Sequence, residues 1–302
     1  MGSMAEVVEP IAGPAPAPTE EAAGHDLPEL PVKVLAPRSG WHMLDFHELW
    51  RYRELLFFLT WRDVKVRYKQ TFFGAAWAIL QPLANMIVLS ILFSGVSSKF
   101  AGAEHYPLFL FAGLLPWTFF ATAVSSAGQS IVGGQNLVTK VYFPRLIIPM
   151  GAVGAAIVDF AIAFSMLGLL MLWYQVWPGW SFLLTPFLAL GIVILALAVG
   201  TLLSALTVAY RDFRHIVPFL VQLWMFATPS VFLQADTALS PKWQLVLPLN
   251  PAYGWIANFR AAALGTPFDG YSLLVSGAVT LVLLFVACMY FRRVERGFAD
   301  II

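Results

Sequence analysis

The chain has 302 residues, of which 59% are hydrophobic and 12% are charged, and its mean hydropathy is +0.75. Because soluble domains carry about 25% charged residues, this composition excludes an ordinary soluble protein and indicates an integral membrane protein. The net charge of +1 says little as a total, and the single cysteine, Cys288, leaves neither a disulfide framework nor a Cys-based metal site.

Residues 1–40 form a stretch rich in Pro and Ala without apolar periodicity. Such a segment cannot bury enough apolar surface to offset the entropy of ordering, so we predict a disordered tail. We interpret residues 1–3 as the remnant of an expression tag before a native start at Met4. No apolar core follows a basic start, so we expect no cleavable signal peptide, and the first span must direct insertion.

Residues 41–70 are predicted to form a cytoplasmic, interfacial amphipathic helix region. From Phe46 to Thr60, apolar residues recur at helical spacing and are interrupted by Arg51, Arg53 and Glu54. This pattern is typical of a helix lying in the membrane interface, and it fits a helix packed on another protein surface equally well.

Residues 71–302 are predicted to form an all-α domain of six transmembrane helices. A hydrocarbon core needs about 20 apolar residues per helix. The chain offers six candidates, which lie within 72–98, 106–132, 146–174, about 182–208, 216–232 and 270–291.

The distribution of Lys and Arg predicts the orientation of these spans. Only Lys99, Lys242 and Arg260 of the 18 basic residues fall on the side opposite to the termini. Because basic residues stay in the cytoplasm, both termini are expected there. The external segment 233–272 has two apolar stretches that are too short to cross, so we predict re-entrant or interfacial helices between spans five and six.

Sequence motifs exclude several kinds of chemistry. No G-x-x-x-x-G-K-[ST] loop is present, so the chain is not its own ATPase by that route. It also has no His-Glu-x-x-His, no nucleophile elbow and no carboxylate pair in a span, which argues against a membrane protease. We predict no catalytic residue, no metal site and no cofactor in this chain.

Asp159 is the acid inside a predicted span. An ionised Asp at the bilayer centre costs about 2.5–3.5 kcal/mol on insertion scales, so it needs a reason to be there. Structural hydrogen bonding is one interpretation, and helix contact or pathway lining is the other.

Two short segments on the predicted cytoplasmic side are distinctive. Residues 136–145 form a mixed apolar and basic connector that suits docking into a groove of another protein. Arg211 and Arg214 place two guanidinium groups near the inner surface, where they could bind a lipid diphosphate or simply anchor the span.

At these residues the chain resembles the membrane subunits of type 2 ABC exporters for lipid-linked polysaccharides, the family of O-antigen, capsule and teichoic-acid permeases. The resemblance covers about residues 45–302. Its most specific part is the run Arg62, Asp63, Lys65, Arg67, Tyr68, Lys69, Gln70, Thr71, Gly74, Trp77, Leu80, Pro82 and Leu83. Supporting parts are Tyr210, Arg211, Asp212 and His215, then Asn250-Pro251 and Phe259-Arg260.

The resemblance implies a homodimer in the bacterial inner membrane, paired with two copies of a cytoplasmic subunit that binds ATP and Mg. It implies a coupling helix near residues 136–144. The implied substrate is a glycan on a polyprenyl diphosphate, which moves outward through a channel between the two subunits. Membrane lipids are further partners, and no nucleic acid is expected.

Within this interpretation, residues receive roles from their position and side-chain type. ATPase coupling is assigned to Leu137, Val138, Lys140, Val141, Tyr142 and Phe143. Headgroup or interface electrostatics is assigned to Arg62, Lys65, Arg67, Arg211 and Arg214. Pathway lining or the outer gate is assigned to Trp117, Phe120, Trp224 and Tyr253.

Three alternatives come from other classes. An ABC exporter of a small molecule or drug is separated from this interpretation only by the resemblance at residues 62–83. An ion-coupled lipid flippase should carry more intramembrane ionisable groups than Asp159 alone. A membrane glycosyltransferase should show acidic pairs at a metal-dependent donor site, and none is evident.

Overall fold

The computed structural model describes residues 46–69, 74–93, 105–140, 143–231, 241–295 and 297–298. Every regular element in these ranges is helical. The predicted tail at 1–40 lies outside the described residues, as do Val141 and Tyr142. The helices are α1 (Phe46–Arg51), α2 (Arg53–Tyr68), α3 (Trp77–Phe93), α4 (Tyr106–Gly133), α5 (Gln135–Lys140), α6 (Ile147–Trp173), α7 (Thr185–Ala209), α8 (Phe213–Phe226), α9 (Pro241–Val246), α10 (Pro251–Leu264) and α11 (Gly270–Glu295).

Five helical segments among the described residues are long and apolar enough to cross a membrane. They are Gly74–Leu92, Tyr106–Gly133, Ile147–Trp173, Trp180–Ala209 and Gly270–Glu295. These segments coincide with the first, second, third, fourth and sixth spans expected from the sequence. The prediction of an all-helical membrane protein is therefore confirmed.

The predicted fifth span, 216–232, does not form one long helix. Helix α8 has 14 residues, which is about 21 Å of helix against a hydrocarbon core of about 30 Å. It ends before Pro229, because the residue preceding a proline is disfavoured in the helical conformation, and a 3-10 turn, Pro229–Val231, follows. Apolar composition alone could not reveal this break.

The α8 segment nevertheless runs antiparallel to α4 over much of its length. The side chain of Val217 lies near Gly128, whereas the backbone carbonyl of Val231 lies against Gly113. Positions 113 and 128 on α4 are about 22 Å apart along the axis, at 1.5 Å per residue. The segment therefore traverses the bundle as a helix followed by a turn.

Helix α4 is the centre of the bundle. Its buried side chains join the main core cluster with residues of α6, α7 and α10. Small residues permit the close approach of α4 and α7, since a Cβ at Gly200 would lie 2.6 Å from the Cβ of Ala127.

A second cluster gathers the ends of several helices. Leu59 of α2, Val138 of α5, Phe143, Phe291 of α11 and Phe298 belong to it, together with residues at the ends of α4 and α7. Most of the described Lys and Arg residues belong to segments at this end, which we call the basic end. Lys242 and Arg260 belong instead to the segment between α8 and α11.

Helix α2 packs on the protein along one of its sides. Leu59 contacts Gly151, and Thr60 contacts Gly154. Further along both chains, Arg67 contacts Asp159, so α2 and α6 ascend in the same direction. Of the two interpretations left open by the sequence, packing on protein describes this side of α2. The other side carries the exposed aromatic residues Phe57, Phe58 and Trp61.

The short helices between α8 and α11 fold back into the bundle. The backbone N–H of Gly254 near the start of α10 donates to Ser276 Oγ at 3.1 Å, well inside α11. Asn258, one turn later, bonds Asp269 just before α11 begins. Helix α10 therefore starts beside the interior of α11 and runs toward its N-terminal end.

We expect Gly200→Val to lower the stability of the protein because its side chain would overlap Ala127. Overpacking of a tight core costs about 1–3 kcal/mol. The matched control is Gly168→Val in α6, because a Cβ there meets no atom within 4 Å. The measurement is the thermal unfolding midpoint of the purified protein in detergent, and equal midpoints for both variants would contradict the close α4–α7 contact.

Candidate functional site

An ion pair connects the end of α2 to the middle of α6. Arg67 Nη1 donates to Asp159 Oδ2, and the Tyr68 hydroxyl donates to Asp159 Oδ1. The Asp159 side chain is 19% exposed and that of Arg67 is 29% exposed. Both carboxylate oxygens thus have a donor, which explains how an acid is accommodated in an apolar helix.

Tyr68 supports this arrangement as a neutral donor. Burial raises the pKa of the Tyr68 phenol above its ordinary value, although the charge of Arg67 opposes the shift. The phenol therefore keeps its proton at physiological pH and can donate it in a hydrogen bond to Asp159. Both interpretations of Asp159 apply in part, because its hydrogen bonds to Arg67 and Tyr68 also form a contact between α2 and α6. Pathway lining stays a prediction.

A cavity of about 330 Å³ lies directly beside this ion pair. Arg67, Tyr68 and Asp159 form one part of its wall, and residues of α3, α4 and α6 form the rest. Gly74, which begins the 3-10 turn just before α3, also lines the cavity, and its φ of +49° is a conformation that glycine adopts without strain. The cavity is thus bounded by the same contacts that dock α2 on α6.

Asn250 forms a junction between the end of α8 and the start of α10. Its Oδ1 accepts from Trp224 Nε1 at 2.9 Å and from the backbone N–H of Ala252 at 3.2 Å. Its Nδ2 donates to the carbonyl of Ala227 at 3.0 Å and to Thr228 Oγ1 at 2.9 Å. One side chain therefore caps α10 and satisfies the backbone where α8 ends.

Comparisons with known proteins identify the family. The model of the ABC-2 type transporter family matches residues 54–264. This chain belongs to the ABC-2 type transporter family. It is 34% identical over 258 residues to the O-antigen export system permease protein RfbA of Myxococcus xanthus, which covers 84% of this chain and 97% of that protein.

Two further relatives align with this ABC-2 type transporter chain over nearly their whole length. The O-antigen export system permease protein RfbA of Klebsiella pneumoniae is 26% identical over 250 residues, or 82% of this chain and 95% of the relative. The polysialic acid transport protein KpsM of Escherichia coli is 26% identical over 244 residues, or 78% of this chain and 92% of the relative. The range matched by the family model, residues 54–264, includes nearly all of α2, the residues that line the cavity and the Asn250 junction.

The five predicted headgroup residues occupy two kinds of environment. Arg62 and Lys65 are exposed on α2, and Arg211 and Arg214 are exposed where α7 turns into α8. Arg67 differs, because its guanidinium is partly buried and paired with Asp159. Helical position alone could not separate Arg67 from its neighbours, since the acid that pairs with it is 92 residues away in the chain.

The predicted coupling residues lie on and after α5. Lys140 is exposed and Leu137 is half-buried, whereas Val138 and Phe143 are buried in the cluster at the basic end. Val138 and Phe143 thus attach α5 to the rest of the protein. Their predicted coupling role, like that of Val141 and Tyr142, stays a prediction.

Three of the four predicted gate residues come together inside the subunit. The rings of Trp117 and Phe120 are 5.5 Å apart, and those of Phe120 and Trp224 meet edge to face at 5.2 Å. Tyr253 is buried on α10. Their assignment to a pathway stays a prediction.

Two contacts in the structure were not predicted from the sequence. Asn250-Pro251 carries a recognisable signal for a helix start, an N-cap followed by proline, but nothing local indicated its contacts with α8. The other is a clasp in which Arg145 donates to the Glu295 carbonyl and stacks over Phe298 at 5.8 Å. No cluster of three potential metal ligands occurs in the part of the chain that the structure describes.

We expect Asp159→Ala to destabilise the protein by about 1–3 kcal/mol. Breaking a buried pair costs about 3–5 kcal/mol, and the partial exposure of this pair reduces the loss. Asp63→Asn is the control, because the Arg62–Asp63 pair is more exposed and should contribute about 0.5 kcal/mol or less.

The paired variant Arg67→Leu/Asp159→Leu separates charge from packing. It should recover part of the loss, because no unpaired charge remains. Thermal unfolding midpoints in detergent provide the measurement. Equal stability of Asp159→Ala and the native protein would show that the pair does not hold α2.

Replacing Asn250 by Ala should also destabilise the protein, by about 1–3 kcal/mol, because a helix cap and buried hydrogen bonds are lost together. Asn250→Asp should retain more stability, since it keeps the oxygen that accepts from Ala252 and Trp224. The matched control is Asn136→Ala at an exposed position of α5. If Asn136→Ala and Asn250→Ala lower the unfolding midpoint equally, the junction makes no special contribution.

Proposed function

We propose that this chain is the transmembrane subunit of an ATP-driven ABC exporter that moves a polysaccharide out of the bacterial cytoplasm across the inner membrane. The observation that carries the proposal is the similarity to O-antigen export permeases and to a polysialic acid transport protein, which extends over more than nine-tenths of each relative. The five helical segments that are long and apolar enough to cross a membrane support it, because the membrane subunit of an exporter needs several spans.

The energy source in this proposal is a separate cytoplasmic subunit that binds ATP and Mg. Two copies would meet two copies of this chain, one at each basic end. The exposed side of α5, with Asn136 and Lys140, offers the docking surface. Because Val138 and Phe143 anchor α5 in the cluster with α2 and α11, a push on α5 would reach both helices.

The substrate in this proposal carries its glycan on a polyprenyl diphosphate. Arg62, Lys65, Arg211 and Arg214 are exposed cations that could attract this diphosphate to the inner surface. Arg67 is left out of this set, because it is partly buried against Asp159, whereas Arg62 stays exposed beside its neighbour Asp63. Both termini would then lie in the cytoplasm, with the α8 segment completing a sixth crossing.

The route in this proposal lies between two copies of the chain. Helices α3 and α8 carry large exposed apolar side chains that need lipid or a second subunit, among them Ile87, Ile91, Phe219 and Leu223. Trp117, Phe120, Trp224 and Tyr253 pack inside one subunit, so they would act as a gate only if the outer helices moved. The Asn250 junction couples two of the segments that such a movement would involve.

The experiment that tests the function is purification of the tagged chain from its native membrane. A stoichiometric cytoplasmic ATPase in the complex, with ATP hydrolysis and ATP-dependent glycan movement in vesicles, is the expected result. A chain that purifies without any ATPase contradicts the proposal and favours an ion-coupled flippase. An ATPase complex that moves a small molecule and no glycan favours the drug-exporter alternative.

We expect Lys140→Glu to reduce the amount of ATPase that copurifies by about fivefold or more, because a charge reversal at an interface rim costs on the order of 1 kcal/mol or more. Lys242→Glu, at the other end of the chain's bundle, should have no effect. Both side chains are exposed, so neither change should alter the unfolding midpoint. Unchanged copurification with Lys140→Glu would remove α5 as the docking surface.

A further inference from the structure

We infer that the cavity between α3, α4 and α6 is a binding site for one uncharged sugar ring. This inference rests on the proposed export of a glycan, and it adds to that function a place on each subunit where a single unit of the chain is held. It follows from four properties of the cavity wall: its free hydroxyl groups, its charge balance, its aromatic surfaces and its size.

A row of hydroxyl groups lines one side of the cavity. Thr118, Thr122 and Ser126 follow each other at four-residue spacing on α4, so they share one face over about 12 Å. No hydrogen bond joins these three hydroxyls to any residue that the structure describes.

This lack of local partners is unusual for hydroxyl groups on apolar helices. In such helices, Ser and Thr commonly donate to a carbonyl three or four residues earlier. Ser130, Ser204, Thr207 and Thr228 do so in this protein, at 2.7–2.8 Å. The hydroxyls of the cavity are instead available to a ligand with many donors and acceptors of its own.

The charge balance of the wall selects an uncharged ligand. Arg67 and Asp159 are the charged groups in the described lining, and they form an ion pair with each other. A phosphate at Arg67 would face the Asp159 carboxylate, and a cation would face the guanidinium. The amide of Gln81 adds a neutral donor and acceptor on the α3 side.

Aromatic rings form further parts of the lining. Trp77 of α3 is half-exposed, whereas Phe119 of α4 is buried and its ring packs against that of Phe160 of α6 at 5.2 Å. A pyranose ring has an apolar C–H face and a rim of hydroxyls. The exposed surface of Trp77 suits the C–H face of such a ring, and the row of free hydroxyls suits its rim.

The volume limits how much of a glycan can enter. At about 330 Å³, the cavity lies near the lower end of the 300–1,000 Å³ range typical of ligand pockets. This space suits one ring and not a folded length of polymer. Neutral hydrogen bonds without an ionic anchor give weak affinity, which allows a moving chain to leave the site.

Binding can be tested on the purified chain in lipid nanodiscs made of phosphatidylethanolamine and phosphatidylglycerol, prepared without sugar-based detergents. The probes are the methyl glycosides of glucose, galactose, mannose, rhamnose and N-acetylglucosamine, and saturation-transfer NMR measures their binding. We expect at least one probe to bind saturably, with a dissociation constant on the order of millimolar because few neutral hydrogen bonds hold it.

The variant Thr122→Val/Ser126→Ala should weaken this binding by about fivefold or more, because it removes two hydroxyls without changing side-chain size greatly. The matched control is Thr207→Val/Ser204→Ala on α7, where both hydroxyls donate to their own helix. The control should bind the probe as the native chain does.

Three outcomes would overturn the inference: no saturable binding of any glycoside, equal binding by the native chain and the Thr122→Val/Ser126→Ala variant, or displacement of the bound glycoside by inorganic phosphate. The assay involves no ATPase, so its result is separate from the test of the proposed function. If a sugar binds but no ATPase partner is found, the sugar site is supported and the exporter function is contradicted. If the exporter is active but no sugar binds, only the sugar site is contradicted.

Discussion

The position of α2 depends on the partner that Asp159 needs. An ionised carboxylate among apolar helices is costly, and in this protein Arg67 and Tyr68 from the end of α2 both bond it. The contact fixes α2 along α6 and thereby sets where the chain turns at Gly74 into α3. The residues of this contact, Arg67, Tyr68 and Asp159, also form one wall of the cavity. One ion pair thus connects α2 to α6 and lies in the wall of the cavity that α3 also lines.

The same pair determines the electrostatic character of the cavity. Because guanidinium and carboxylate neutralise each other, the wall offers hydrogen bonds and aromatic surfaces without net charge. Other exposed cations, such as Arg211 and Arg214, lie outside the cavity, where α7 turns into α8. Attraction of an anionic headgroup and contact with a neutral glycan would therefore occur at different places on one subunit.

The basic end and the α8–α10 region are held together by different kinds of contact. At the basic end, apolar packing around Phe143 and Phe291 joins α5 to α11, and Arg145 closes the contact by stacking over Phe298. Near the opposite ends of the spans, hydrogen bonds from Asn250 join α8 to α10. Rigid contacts at both places suit helices that shift as bodies.

Composition and periodicity by themselves determined the membrane class, five of the spans and the concentration of cations at one end, because these properties are local to each segment. They also indicated an unusual acid at position 159. The early end of α8 has a local cause, Pro229, which a count of apolar residues overlooks. Only tertiary structure decided the partner of Asp159, the cavity and the Asn250 junction. Each depends on side chains that packing brings together from distant parts of the chain, up to 92 residues apart for Arg67 and Asp159, and no local pattern encodes which of several similar cations will meet an acid.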